Sequence, residues 1–309
     1  MNEKAASDLR KDLEEAGFRI SLIAVERIAE VRDYFAGLLK TGELKRTFHD
    51  GYLCGFDSGP PEDFPAARSV IVAAARQPKV RVRFNHSGHT RSYVIPPTYD
   101  SSIDKRVLDA IRSSLDGHGL EARKARLPWK SLAVRSGLAS YGRNNITYVE
   151  GWGSYFRLAG FYSDLPCEAD DWKEPEAMKV CERCTACLEA CPSGAIGGDR
   201  FLLQAERCIT LYNEETPEFP GWIDRAWHNS LVGCMICQDV CPANRANVDW
   251  LEGDVEFSEA ETGLLLEARP LDRLPAEVAR KLEAADLLVA YEVLPRNLRA
   301  LLEVTRGIA

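Results

Sequence analysis

The sequence CERCTACLEACP, residues 181–192, decides the fold of the middle of this chain. Its cysteines have the spacing C-x2-C-x2-C-x3-C-P. In bacterial ferredoxins, three cysteines of this pattern bind one iron–sulfur cluster and the fourth binds a second cluster. Residues 234–242, CMICQDVCP, repeat the pattern with one cysteine fewer, and Cys208 lies between the two runs. The pattern predicts a domain that binds two clusters.

The number of cysteines agrees with this prediction. Each [4Fe–4S] cluster takes four thiolates, and the two runs supply eight when Cys208 is included. Following the ferredoxin pattern, we assign the last cysteine of each run to the other run's cluster. The first predicted ligand set is Cys181, Cys184, Cys187 and Cys241, and the second is Cys191, Cys208, Cys234 and Cys237.

Other uses of these cysteines fit the spacing less well. Zinc ribbons pair C-x2-C with C-x2-C or mix cysteine with histidine, and they have no role for a third cysteine three residues further on. A disulfide framework is typical of small secreted domains, whereas this chain has 309 residues and a polar N-terminal segment. Pro192 and Pro242 also suit the cluster assignment, because a proline after the last cysteine ends the preceding short helix.

Length, charge and hydropathy limit the remaining possibilities. The chain is long enough for more than one core, and we predict three segments: an α/β domain over 1–166, the cluster domain over 167–250 and a helical segment over 251–309. The net charge of −8 gives no general attraction for nucleic acid or anionic lipid. No apolar run is long enough to span a membrane. Clusters held by thiolates favour a reducing compartment, so we expect the cytoplasm.

The hydrophobic pattern predicts a mixed, α+β fold. Residues 69–75 are apolar and partly β-branched, which indicates a buried strand. Residues 104–115 place their apolar side chains on one helical face and are followed by two glycines. Residues 145–149 and 154–162 flank the turn sequence EGWG, which predicts a β-hairpin. Helices and strands in this mixture favour an α+β or α/β core in the first segment.

Segments outside the cysteine runs resemble a known family. They are residues 137–145 (GLASYGRNN), 153–158 (GSYFRL), 163–166 (SDLP), 206–209 (ERCI) and 294–298 (LPRNL). Together with the two cysteine runs they resemble epoxyqueuosine reductases, cobalamin-dependent enzymes that complete queuosine in tRNA, and more distantly the reductive dehalogenases. The resemblance covers roughly residues 90–300.

The resemblance implies a nitroreductase-like α/β domain that binds cobalamin, followed by a ferredoxin-like double-cluster domain. Electrons from a low-potential donor of the ferredoxin or flavodoxin type would pass through the clusters to the corrinoid, which would reduce a small-molecule or corrinoid-protein substrate. The residues that would lie against the corrin are Tyr141, Gly142, Arg143, Asn144, Asn145, Ser154 and Tyr155. FMN is an alternative cofactor, since the nitroreductase-like fold would also permit a flavin.

The chain also departs from the family pattern. Residues 98–102, TYDSS, stand where the family has an aspartate-tyrosine-histidine triplet, and the region of the catalytic aspartate falls among Arg123, Lys124 and Ala125. The family's C-terminal tRNA-engaging extension is not expected here. Transfer RNA is therefore a doubtful substrate. By position, Tyr99 and Asp100 are the candidate catalytic pair, although Asp100 is also placed to cap the next helix.

Several smaller features leave alternatives open. Two basic stretches, residues 76–91 and 123–135, suit either an anionic ligand or a solvated face, with Arg81 and Arg83 on an edge strand. His86 and His89 suit a metal or a surface loop. Cys54 and Cys167 lie outside the cluster sets, and we expect buried, inert thiols. A protein that only transfers electrons to a partner's cofactor is the alternative to a reductase.

Overall fold

A computed structural model of the chain describes residues 2–198, 202–215 and 218–304. Its strands are β1 (Phe18–Ala24), β2 (Ser69–Arg76), β3 (Lys79–His86), β4 (His89–Ile95), β5 (Ala122–Lys124), β6 (Ser140–Tyr141), β7 (Thr147–Tyr148), β8 (Phe156–Ser163) and β9 (Leu251–Phe257). Its helices are α1 (Asn2–Glu15), α2 (Arg27–Thr41), α3 (Arg46–Phe48), α4 (Ser102–Asp116), α5 (Trp129–Arg135), α6 (Ala186–Ala190), α7 (Ile209–Glu214), α8 (Ile236–Asp239), α9 (Glu259–Leu266), α10 (Ala276–Ala284) and α11 (Leu294–Glu303). The mixture confirms the α+β class. Every described helix is too short or too polar to cross a membrane.

The first compact unit consists of residues 1–76 and 101–184 and is built on a four-stranded antiparallel sheet. The strand order is β1-β2-β8-β5, so β2 and β8 are central. All residues of β2 except Arg76 are buried, which confirms the predicted buried strand. A strand that is covered on both faces needs a continuous apolar sequence, and SVIVAAA supplies one.

Helices cover both faces of this sheet. Val70 and Val72 point to the face covered by α2 and α5, whereas Ile71 and Ala73 point to the face covered by α1 and α4. This alternation follows from the two-residue period of a strand. Gly160 of β8 lies directly beneath the Trp129 ring, where a β-carbon would overlap the indole.

The second compact unit consists of residues 77–100 and 185–309, described as far as residue 304. Its three-stranded sheet has the order β4-β3-β9, in which β3 and β4 form an antiparallel hairpin and β9 runs parallel to β3. Phe84 of β3 stacks on Phe257 of β9, with ring centroids 5.1 Å apart. Leucines of α9, α10 and α11 complete this core.

Two features differ from the sequence predictions. The segment 251–309 is not helical throughout, because residues 251–257 form β9 and pair with β3 about 170 positions earlier. Since β9 is mostly polar and exposed, it lacks the apolar pattern of a buried strand. For the same reason the compact units do not follow the three predicted segments: residues 77–100 pack with the later part of the chain.

The predicted hairpin over 145–162 is also wrong in its pairing. Strand β7 pairs with β6, and β8 pairs with β2 and β5. Only an isolated bridge between Val149 and Gly153 joins the two predicted arms. Gly151 and Gly153 both have positive φ angles, of 75° and 61°. They turn the chain away before a ladder forms.

Candidate iron–sulfur centre

The second predicted ligand set lies within the second unit, at the ends of short helices. Cys191 follows α6, Cys208 precedes α7, and Cys234 and Cys237 stand at the beginning of α8. Helix α6 ends at Ala190, immediately before Cys191 and Pro192. Helices α6 and α8 pack against each other. Short helices that end at cysteines leave the thiols projecting from loops, where several of them can face one group.

The Cys234 thiol lies close enough to Cys208 and Cys191 for their charges to affect its pKa. The pKa of the Cys234 thiol is raised to about 11, mainly by burial, while hydrogen bonds from Asn229 and the Ile236 amide act to lower it and the charges of Cys208 and Cys191 act to raise it. A free thiolate is therefore disfavoured at this position. Iron would reverse the preference, because a metal ion deprotonates the thiol that it binds. The donor set thus fits a cluster, with Cys237 as the fourth ligand by sequence.

The first predicted ligand set begins in the first unit, where Arg143 supports its loop. The Arg143 amide donates a hydrogen bond to the Cys181 sulfur at 3.4 Å. Its guanidinium donates to the carbonyl oxygens of Cys181 at 2.7 Å and Cys184 at 3.2 Å. Cys187 and Cys241 fall in the second unit. Among the described residues, no three His, Cys, Asp or Glu side chains are grouped as a site for a single metal ion.

The segment predicted to face a corrin is partly interior. Asn144 is 2% exposed, Ser154 5% and Tyr155 0%. The Asn144 amide donates to the Tyr148 hydroxyl at 2.9 Å and its oxygen accepts from the Ile146 amide at 3.2 Å. Asn144 therefore holds the turn through these bonds, and Ser154 and Tyr155 lie in the interior. The half-buried residues of the segment are Tyr141, Arg143 and Asn145.

Tyr99, one of the two candidate catalytic residues, lies beside the second ligand set. Its hydroxyl donates to the Glu214 carboxylate and packs against Gly233, the residue before Cys234. Burial raises the pKa of Tyr99 well above its usual range, and the charge of Glu214 and the charges of Cys208 and Cys234 add to the shift. The phenol therefore stays protonated and acts as a hydrogen-bond donor.

A cleft of about 280 Å³ opens at Tyr99. The residues that line it with Tyr99 are Glu214, Glu215, Val232, Val289, Ala290, Glu292 and Val293. Asp100 is not among them. Its carbonyl oxygen accepts a hydrogen bond from Gln77 at 3.2 Å, and Ser101, not Asp100, is the N-cap residue of α4. The structure therefore places Tyr99, but not Asp100, in a cleft.

An ion-pair network that the sequence did not reveal lies in the first unit. Asp104 of α4 is 9% exposed and accepts hydrogen bonds from Arg157 at 2.6 and 3.1 Å and from Lys124 at 2.9 Å. Burial acts to raise the pKa of Asp104, but the hydrogen bonds from Arg157 and Lys124 outweigh it and lower the pKa. The only sequence signal is an acid beside the apolar face of α4. The region of the family aspartate thus holds a lysine engaged by Asp104.

Five of the ten Lys and Arg residues in the two basic stretches have described ion pairs with carboxylates. Arg83 bonds Glu256 at 2.9 Å and Asp254 at 2.5 Å, and Lys79 bonds Asp239 at 3.3 Å. Strand β3 is the central strand of its sheet, so the expectation of an edge strand was wrong. Acidic side chains of β9 therefore neutralise Arg83 of β3.

The remaining histidines and cysteines are placed as follows. His86 and His89 face each other across the turn of the β3–β4 hairpin, with His89 exposed. Cys54 is exposed, contrary to expectation, and its sulfur donates to the Asp50 carbonyl at 2.9 Å. Cys167 is half-buried, and burial, followed by the charge of Asp170, raises the pKa of its thiol to about 11.

Comparison with known proteins agrees with the cysteine pattern and the fold. Residues 180–244 match the family model of the 4Fe-4S double cluster binding domain. The epoxyqueuosine reductase of Cyclobacterium marinum is 39% identical over 114 residues, which are 37% of this chain and 36% of that protein. The Bacillus subtilis epoxyqueuosine reductase is 28% identical over 226 residues, 67% of this chain and 57% of that protein. A solved structure of the B. subtilis enzyme has a TM-score of 0.68 at 21% identity, covering 98% of this chain and 82% of that one.

The fold and the cysteine set define an iron–sulfur protein with a double-cluster domain. More particularly, the chain is a homologue of epoxyqueuosine reductases and shares their fold, which confirms the resemblance seen in the sequence. It spans 36% and 57% of the length of the two curated relatives described above.

Proposed function

We propose that this protein is an oxidoreductase that carries electrons through two [4Fe–4S] clusters to a corrinoid, which reduces a substrate other than tRNA. The observation that carries the electron-transfer part is the match of residues 180–244 to a double-cluster domain, in which Cys234 lies near Cys191 and Cys208. Thiolate-bound clusters reach the low potentials that corrinoid reduction requires. The corrinoid would supply the bond-breaking chemistry, and the protein would orient it and exclude water.

The role of the first unit follows from its half-buried residues. Tyr141, Arg143 and Asn145 are the members of the predicted segment with exposed surface, and Arg143 also bonds the loop of Cys181 and Cys184. In this proposal they border the corrinoid. Asn144 would hold the turn that carries them, and the buried Ser154 and Tyr155 would not touch the corrinoid.

Basic residues in the region of the family's catalytic aspartate support a substrate that differs from that of the relatives. General acid catalysis needs a protonated donor in the pocket. Lys124 occupies that region and bonds an Asp104 whose pKa is lowered, so Asp104 stays ionised at neutral pH and does not donate a proton. The net charge of −8 adds no attraction for tRNA.

The second candidate function is electron transfer to a partner's cofactor without substrate chemistry in this chain. It is favoured by the burial of Asn144, Ser154 and Tyr155, which removes three of the predicted cofactor contacts. A ferredoxin- or flavodoxin-type donor serves both functions.

Anaerobic titration distinguishes the two functions. Protein with reconstituted clusters is titrated with cob(II)alamin and, separately, with FMN, and binding is followed in the visible spectrum and by gel filtration. The reductase proposal predicts stoichiometric cobalamin binding that Arg143→Ala weakens, while Arg183→Ala, a change in the same cysteine run, leaves it unchanged. Clusters that reduce normally in a protein that binds neither cofactor would establish the carrier function. Stoichiometric FMN binding would identify a flavoprotein.

A further inference from the structure

Asn229 makes a direct contact with the second ligand set. Its side-chain amide donates a hydrogen bond to the Cys234 sulfur at 3.2 Å. The same nitrogen donates to the Trp227 carbonyl at 3.0 Å. Asn229 is not a cysteine and lies outside both cysteine runs, so nothing in the ligand pattern identifies it.

The rest of the loop fixes the orientation of this amide. The Asn229 side-chain oxygen accepts a hydrogen bond from the Met235 backbone amide at 2.8 Å, so the amide is held at both ends and its N–H groups point in a defined direction. The Gly233 carbonyl is held by Asn213 at 2.7 Å and by Ser230 at 3.0 Å. Gly233 itself has a φ of 65°, which suits glycine. The donor is therefore already in position and needs no rearrangement.

A fixed N–H group at a ligand sulfur has a known effect on an iron–sulfur cluster. Reduction adds negative charge that spreads onto the thiolates, and a hydrogen-bond donor stabilises the more negative state more strongly. We propose that Asn229 is the residue that raises the reduction potential of the cluster bound by Cys234, and so sets how readily that cluster accepts electrons. The inference rests on the proposed function, because it requires a cluster at Cys234.

Other contacts at this ligand set are weaker candidates for the same role. Ser193 lies 3.5 Å from the Cys191 sulfur, at a longer distance, and either atom is able to act as the donor. The Ile236 amide also bonds Cys234, but a backbone amide is present whatever the residue type. Among the side-chain contacts described above, replacing Asn229 removes an N–H···S bond without changing a ligand.

The test is a redox titration of Asn229→Leu followed by electron paramagnetic resonance, beside wild type and Ser230→Ala. Leucine has a similar size and no N–H group. Ser230→Ala removes a hydrogen bond from the same loop but none from a sulfur. Iron and sulfide analysis comes first, and about eight irons per chain shows that both clusters are present. A shortfall in wild type would refute the proposed function separately from the inference about Asn229.

We expect Asn229→Leu to make reduction of one of the two clusters about tenfold less favourable. For a one-electron reduction, this lowers the midpoint potential of that cluster by about 59 mV. The other midpoint, and both midpoints of Ser230→Ala, should stay unchanged. Unchanged midpoints in a fully loaded Asn229→Leu protein would overturn the inference, as would an equal shift in Ser230→Ala. If the leucine variant loses iron, the test is made on reduced wild type in which the side-chain nitrogen of asparagine is isotopically labelled. A hyperfine coupling between this nitrogen and one reduced cluster supports the assignment, and the absence of any coupling overturns it.

Discussion

The buried ion pair of Asp104 makes a quantitative prediction about stability. Asp104→Asn keeps the shape of the side chain but removes the charge that Arg157 and Lys124 bond. Removing one partner of a buried ion pair costs about 3–5 kcal/mol. The Arg157 side chain is 23% exposed and that of Lys124 66%, so water recovers part of the loss. We therefore expect a loss of about 2–3 kcal/mol.

Thermal unfolding followed by circular dichroism measures this loss. A change of that size lowers Tm by roughly 5–10 °C in a unit of this length. Asp109→Asn is the matched control, because Asp109 lies on the same helix and pairs with Lys105 in solvent, with side chains 54% and 81% exposed. That exposed pair should contribute no more than about 0.5 kcal/mol. Equal Tm values for Asp104→Asn and Asp109→Asn would refute the reasoning.

The same network predicts a pH dependence with a definite sign. The pKa of Asp104 is lowered in the folded state from its ordinary value of 3.8. A lowered carboxyl pKa stabilises the folded protein above the unfolded pKa, and the contribution disappears as the pH falls through the folded value. The difference in unfolding free energy between wild type and Asp104→Asn should therefore be full at neutral pH and shrink below pH 3.8.

Two further predictions concern the second unit. Gly233→Ala places a methyl group against the Tyr99 hydroxyl at a residue with a φ of 65°, so we expect this variant to bind less iron. Gly263→Ala, at an open helical position, is the control and should bind the full amount of iron. Equal iron content in the two variants would contradict this prediction. His228 is 5% exposed with no described hydrogen-bond partner for its ring nitrogens, and burial, together with the charge of Arg296, lowers its pKa to about 4. Its neutral form stabilises the fold above pH 6.5, and this contribution is lost between pH 6.5 and 4, so His228→Gln should flatten the stability profile in that window and nowhere else.

Local patterns in the sequence predicted the parts of the fold that depend on neighbouring residues. The buried strand β2 was predicted because its own apolar run determines its environment, and helix α4 because its apolar residues repeat with the helical period. The cluster cysteines were predicted because metal ligation demands fixed spacings. For β2 and α4, the determining pattern lies within about fifteen residues of sequence.

The missed features depend on distant partners. Strand β9 is polar and becomes a strand only because β3 pairs with it. Asp104 is an ordinary first-turn acid of α4 until Arg157 of β8 reaches it from 53 positions away. A single sequence contains no local signal for such long-range contacts.

The most direct test of the central claim, that eight cysteines hold two clusters, is the iron content of reconstituted wild type, Cys208→Ser and Cys54→Ser. Cys208 belongs to the second ligand set and lies near Cys234. The Cys54 side chain is exposed, and its one described hydrogen bond is to a backbone carbonyl. We predict about eight irons per chain in wild type and Cys54→Ser, and about four in Cys208→Ser, with one reduced-cluster signal lost. Wild type with about four irons, or a Cys208→Ser protein that retains both clusters, would contradict the account.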